Sequence, residues 1–113
     1  MRNTISLNRN YEFRRLYNKG KSAASKSVVV YCMRNNTAEN RIGITVSTKL
    51  GGAVQRNRIR RRLKEIYRIN EHRLHTGYNI VIVARQRSRY AMWSELEASV
   101  IYLFNKLGLI EAS

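Results

Sequence analysis

Aspartate is missing from this 113-residue chain, and its only acidic side chains are seven glutamates. Metal-dependent nucleases need carboxylates that converge on one or two ions. Here only Glu95 and Glu97 lie close together, and at i,i+2 on a helix they do not face each other. Histidine is nearly as scarce. His72 and His75 flank Arg73 at the end of a predicted helix, where an exposed pair is favoured over an acid–base pair. Two histidines without cysteine or aspartate partners also make a poor zinc site. The lone Cys32 excludes an internal disulfide, suits a reducing cytosol, and falls in an apolar strand rather than an activated site. No apolar run approaches the roughly 20 residues that a membrane span requires, and the N-terminal segment lacks the apolar stretch of a signal peptide. "KLGGAV" lacks the Lys-Ser/Thr that completes a phosphate-binding loop. These absences predict a cytoplasmic chain with no metal site, no membrane contact and no catalytic residues of its own.

What the chain does have is positive charge. Lysine and arginine number 22, for a net charge of +15, and arginines outnumber lysines sixteen to six. Arginine favours planar, bidentate contact with phosphate. The charge is lopsided. Residues 90–113 hold one lysine against three glutamates, a net of −2, which leaves +17 on residues 1–89. Charge of this size opposes compaction unless a polyanion neutralises it, and that polyanion should avoid the last helix. Hydrophobic residues make up 43% of the chain, so it is read as one folded RNA-binding domain over residues 1–113.

Periodicity supplies the elements. "NRNYEFRRLYNKGKS" reads as a short helix capped by Asn8 or Asn10 and stopped at Gly20. "KSVVVYCMR" (Lys26 to Arg34) and "RIGITVS" read as strands, with "NNTAEN" as a hairpin connection between them. In the second strand Ile42, Ile44 and Val46 face the core. Gly43, Thr45 and Ser47 form a small, polar face that a ligand could approach closely. "TKLGG" is a loop, followed by a helix from Ala53 to about His72. "YNIVIVAR" is a strand, central and covered on both faces, and "QRSRYAM" is a polar loop. The last helix places Trp93, Leu96, Val100, Leu103, Phe104 and Leu107 on one apolar stripe, ending at Gly108. The result is an α+β sandwich of a small mixed sheet with three helices in the order α-β-β-α-β-α, with residues 22–25 as a candidate extra strand.

"RNRIRRRLKEIYR" (Arg56 to Arg68) carries five arginines in its first seven residues. At about 100° per residue, Ile59, Leu63, Ile66 and Tyr67 form a buried seam. Asn57, Arg61, Lys64 and Arg68 lie opposite, Arg56 and Arg60 on one flank, Arg58 and Arg62 on the other. The charge is therefore a rigid ridge, and an RNA whose counterions are released on contact would relieve its self-repulsion.

"STKLGGAVQRNRIRRRLKE" (Ser47 to Glu65) resembles the signature of the bacterial ribonuclease P protein subunit: a glycine-containing loop leading into Arg-Asn-Arg. "YEFRRLYNKG", "RIGITVS" and "YNIVIVAR" look like that family's first helix, the strand before the loop, and the last strand. The resemblance spans nearly the whole chain. It implies a small subunit bound to a catalytic RNA, which together remove the 5′ leader of precursor transfer RNA with Mg²⁺ held mainly through the RNA. It implies no obligate protein partner, and a left-handed crossover into the last strand against the general right-handed rule. Arg62 departs from the pattern, since relatives often carry an apolar or other side chain there, and the segment after Gly108 is short.

Spacing alone leaves Phe13 and Tyr17, beside Arg14 and Arg15, open to either a core or a surface role. The resemblance implies that they line a leader-binding cleft with Tyr31, where aromatics on a basic surface stack on unpaired bases. Lys49, Arg56, Asn57, Arg58, Arg60, Arg61, Arg62, Lys64 and Arg68 are the expected RNA contacts. The alternative is a structural, ribosomal-type RNA-binding protein with no role in processing.

Overall fold

The computed structural model describes residues 4–7 and 9–110. Eight main elements follow one another: β1 (Thr4–Ser6), α1 (Asn10–Lys19), β2 (Lys21–Ala24), β3 (Val28–Arg34), β4 (Asn40–Thr45), α2 (Ala53–Asn70), β5 (Tyr78–Ala84) and α3 (Trp93–Lys106). The three predicted helices and three predicted strands are all present. Lys21–Ala24 forms the extra strand and β1 is a further one, so the sheet has five strands in the order β1-β4-β5-β3-β2.

That order corrects the predicted hairpin. β3 and β4 are not neighbours, because β5 runs between them, antiparallel to β3 and parallel to β4. Two asparagines explain the separation. Asn35 turns the loop after β3, accepting the Thr37 N–H at 2.9 Å, and its Nδ2 reaches Asn79 at 3.1 Å. Asn40 accepts the Tyr78 N–H at 2.9 Å and donates to the His75 carbonyl at 3.0 Å. Both side chains thus bind the entry of β5. A parallel β4–β5 pair needs a long crossover, and α2 supplies it.

The centrality of β5 follows from its apolar run: Ile80 and Ile82 face one side, Val81 the other, and all three are buried. On one side α2 and α3 pack against Val28, Val30, Ile42, Ile80 and Ile82. On the other, Leu16 of α1 packs with Leu7 and Val81. Ile59, Leu63, Ile66 and Tyr67 of α2 are buried as their spacing predicts. In α3 Leu96, Val100, Leu103 and Phe104 are buried, but Trp93, expected on the same stripe, is 37% exposed at the start of the helix. Cys32 is buried in β3, and that burial raises its thiol pKa against a smaller opposing effect from Lys21.

Two local expectations also change. α1 begins at Asn10 itself, with Arg9 at the cap position and no side-chain cap bond; Asn8 lies outside the described residues. Gly43 does permit a close approach, but the group that approaches is Phe13. A Cβ at Gly43 would sit 2.7 Å from Cε1 and Cζ of the Phe13 ring and 3.3 Å from Leu7 Cβ. Gly43→Val should therefore overpack the α1 interface by about 1–3 kcal/mol, read as a lower denaturation midpoint. An unchanged midpoint would mean that Phe13 has room to move aside.

Candidate RNA interface

The basic ridge begins in the loop before α2. Ser47 Oγ accepts the Lys49 N–H at 3.2 Å, which sets the turn and leaves the Lys49 side chain exposed. Gly51 has φ +130°, a conformation other side chains rarely adopt, and its carbonyl accepts Arg56 Nε at 3.1 Å. Arg56 thereby ties the helix back to its own loop.

The predicted contacts separate into two groups. Arg58, Arg61 and Lys64 are exposed and, among the described residues, make no hydrogen bond or ion pair. Lys49 likewise has no side-chain partner there. The others are held locally: Arg60 donates to Asn57 Oδ1 at 2.9 Å, and Arg68 Nε to Glu65 Oε1 at 2.9 Å. The Arg68 bond lowers the Glu65 pKa and the same contact raises that of Arg68. Both groups sit in open solvent, so the pair counts for little in stability.

Arg62 differs from the rest. It turns off the ridge and donates from Nη2 to the Ala91 carbonyl at 2.6 Å, pinning the segment before α3 to α2. Burial, and then the nearby Arg58 charge, lower its pKa. Its position in the fold is that of a structural tether. Arg62→Ala should lower stability by about 1.5 kcal/mol, as expected for loss of a charge-assisted hydrogen bond. Thermal unfolding checks this, and a melting temperature equal to the parent's would remove the tether.

The aromatic surface lies on the opposite side of the sheet. Phe13 is half-buried over Gly43, one turn before Tyr17, with ring centroids 6.5 Å apart. Tyr17 is 41% exposed and meets Tyr31 edge-on at 4.9 Å. Tyr17 Oη also lies 3.4 Å from Thr45 Oγ1. The three candidates do come together, and the spacing that left Phe13 and Tyr17 ambiguous reflects a real division: Phe13 mostly packs, Tyr17 mostly presents. Met33 and Val83 complete the surface, half-buried against the same cluster. Sequence reasoning placed Thr45 on the small polar face but left out Met33 and Val83; two-residue alternation from Tyr31 points to Met33, whereas Val83 joins only through the pairing of β5 with β3 and β4.

The two surfaces approach each other at the end of β4, beyond its pairing with β1. A hollow of about 170 Å³ there is lined by Leu7, Gly43 and Ile44 from the sheet side and Arg60, Lys64 and Tyr67 from α2.

The chain is similar to proteins of one family. Residues 1–108 match the family model of ribonuclease P. The chain is 40% identical over 110 residues to the ribonuclease P protein component of Alkaliphilus metalliredigens, covering 97% of this chain and 99% of the relative. The chain belongs to the ribonuclease P protein family. Its fold matches the solved ribonuclease P protein of Staphylococcus aureus with a TM-score of 0.86 at 30% identity, over 94% of this chain and 97% of that one. A second structure of the S. aureus protein, a mutant described as having defective mRNA degradation activity, matches with the same TM-score and identity over 93% and 89%.

Among the described residues no three of His, Cys, Asp and Glu converge as a ligand group. His72 and His75 are exposed. No helix among the described residues is long and apolar enough to cross a membrane.

Proposed function

We propose that the protein works in ribonuclease P as a two-faced clamp, gripping RNA phosphates with α2 and the single-stranded leader of precursor transfer RNA with the aromatic face. As the protein subunit of ribonuclease P it serves an endoribonuclease that matures transfer RNA 5′ ends. The finer division of labour rests on one observation: an open Tyr17–Tyr31 pair on the opposite side of the sheet from cations that have no partner among the described residues. Phosphates of the RNA subunit and of the substrate would lie along Lys49, Arg58, Arg61 and Lys64, with Arg56, Asn57, Arg60 and Arg68 beside them. Arg62 would contribute chiefly by holding α2 to the segment before α3. Neutralising phosphate in this way favours assembly at ordinary salt. In this reading Mg²⁺ is bound by the RNA and supplies the hydrolytic chemistry, and the particle acts in the cytoplasm.

Discrimination then arises as a difference of affinities, since mature transfer RNA lacks the part that the aromatic face holds. The assembled particle should therefore bind precursor more tightly than mature transfer RNA. Equal affinities would favour the alternative of a structural RNA-binding protein. Rigorously purified protein with Mg²⁺ but no RNA subunit should not process precursor. Turnover there would extend to this chain an RNA-cleaving role like the mRNA degradation named for the S. aureus relative.

A further inference from the structure

The segment between β5 and α3 is left unused by the clamp, yet it carries the largest exposed aromatic groups beside α2. Tyr90 and Met92 are each 73% exposed and Trp93 is 37% exposed, whereas Ala91 between them is buried. The Arg62 bond to the Ala91 carbonyl explains the pattern. It anchors the one small residue inward and turns its large neighbours out. Two hollows flank this anchor, and Arg58 and Arg62 line both. The larger, about 650 Å³, has Trp93 on its wall with Arg61, Lys64 and Arg68. The smaller, about 260 Å³, has Tyr90 and Arg89. The Arg89 guanidinium lies 5.5 Å from the centre of the Tyr90 ring, a cation–π distance.

A surface with one open aromatic ring in each of two hollows and arginines on the ridge between them has the make-up of a single-stranded nucleic-acid platform. Acidic residues nearby are engaged: Glu65, on the wall of the larger hollow, is paired with Arg68, Glu95 is paired with Arg87 at 2.9 Å, and Glu97 accepts from Asn70 at 3.0 Å. Glu95, in the first turn of α3, is thus neutralised by Arg87, and the two hollows are lined mainly by cations, so the start of α3 is open to a polyanion although the sequence alone steers one away.

We propose that Tyr90 and Trp93 form a second stacking site, separate from the leader face, for unpaired bases of an RNA strand whose phosphates lie along Arg58 and Arg89. The inference rests on the clamp reading for its partner, RNA, but not on the aromatic leader cleft. The bases could come from the RNA subunit or from the substrate. Their chemistry is the same in either case.

Trp93 is the only tryptophan in the chain, so its fluorescence reports this site alone. The full protein is titrated with a short oligoadenylate and with an abasic strand of equal length and charge, and acrylamide quenching of Trp93 is followed. Oligoadenylate should shield Trp93 severalfold and the abasic strand should not. Tyr90→Ala, at a site too exposed to disturb the fold, should weaken oligoadenylate binding by roughly five- to hundredfold, and Tyr90→Phe should restore it. Equal shielding by the abasic strand, or an unchanged affinity in Tyr90→Ala, overturns the proposal. In the assembled particle, shielding by the RNA subunit alone assigns the bases to that subunit. Shielding that appears only with precursor assigns them to substrate, and no shielding with either refutes the site. Tyr17→Ala run in parallel keeps the two faces apart. Trp93 shielding that survives there supports an independent site, whereas its loss would show that the two surfaces are one.

Discussion

Tyr17→Ala is expected to weaken binding of precursor transfer RNA by the assembled particle by roughly 1–3 kcal/mol, the range for one lost base–aromatic stack, with no change for mature transfer RNA. In affinity that is about fivefold to somewhat over a hundredfold. The effect should be large because Tyr17 is the most open of the three rings, and because its edge-on contact with Tyr31 and its hydroxyl near Thr45 fix its orientation before any base arrives. A preorganised ring loses little rotational freedom on binding. Tyr17→Phe, which keeps the ring and loses only the weak Thr45 contact, should retain most of the affinity. Tyr31→Ala should show the same selectivity for leader-bearing substrate from the floor of the face. Equal losses for precursor and mature transfer RNA in Tyr17→Ala would place the ring outside the leader path.

The second large effect belongs to the cations that have no partner among the described residues. Replacing Arg58, Arg61 and Lys64 together by alanine should flatten the salt dependence of RNA-subunit binding. Each phosphate contact contributes roughly 0.7–0.9 to the slope of log affinity against log salt, so three lost contacts should reduce it by about 2–3. The fold should survive, since these side chains are exposed and the seam of Ile59, Leu63, Ile66 and Tyr67 on the far side of α2 is untouched. Arg62→Ala makes the contrast. It should cost stability and change the slope little, because its guanidinium is engaged with Ala91. Parallel salt plots for the triple variant and its parent would show that RNA lies elsewhere.

Much of this was legible before the structure. Helical spacing placed the seam of α2, and the unbroken apolar run of residues 80–83 marked β5 as central; both signals are local, and tertiary packing reinforced them. The failures are non-local. β1 is three residues long and exists only because β4 offers it an edge. The β3–β4 hairpin was inferred from a turn-like segment, but its asparagines bond to β5, about 40 residues further along the chain. Among arginines that look alike in sequence, Arg62 alone turns to a carbonyl 29 positions away, and nothing in its neighbours signals that partner. Alternation marks Gly43 as a place of close approach, yet it cannot say whether a ligand or, as here, a ring of the same chain will occupy it. Trp93 sat on an apolar stripe by spacing, while its place in the first turn of α3 leaves it partly open.

The most direct test of the clamp is a photoreactive side chain placed at position 17 of the assembled particle, with precursor transfer RNA bound. Cross-links should form to leader nucleotides and should vanish when mature transfer RNA replaces precursor. Cross-links of equal yield to the transfer RNA body or to the RNA subunit, with or without a leader, would contradict the account.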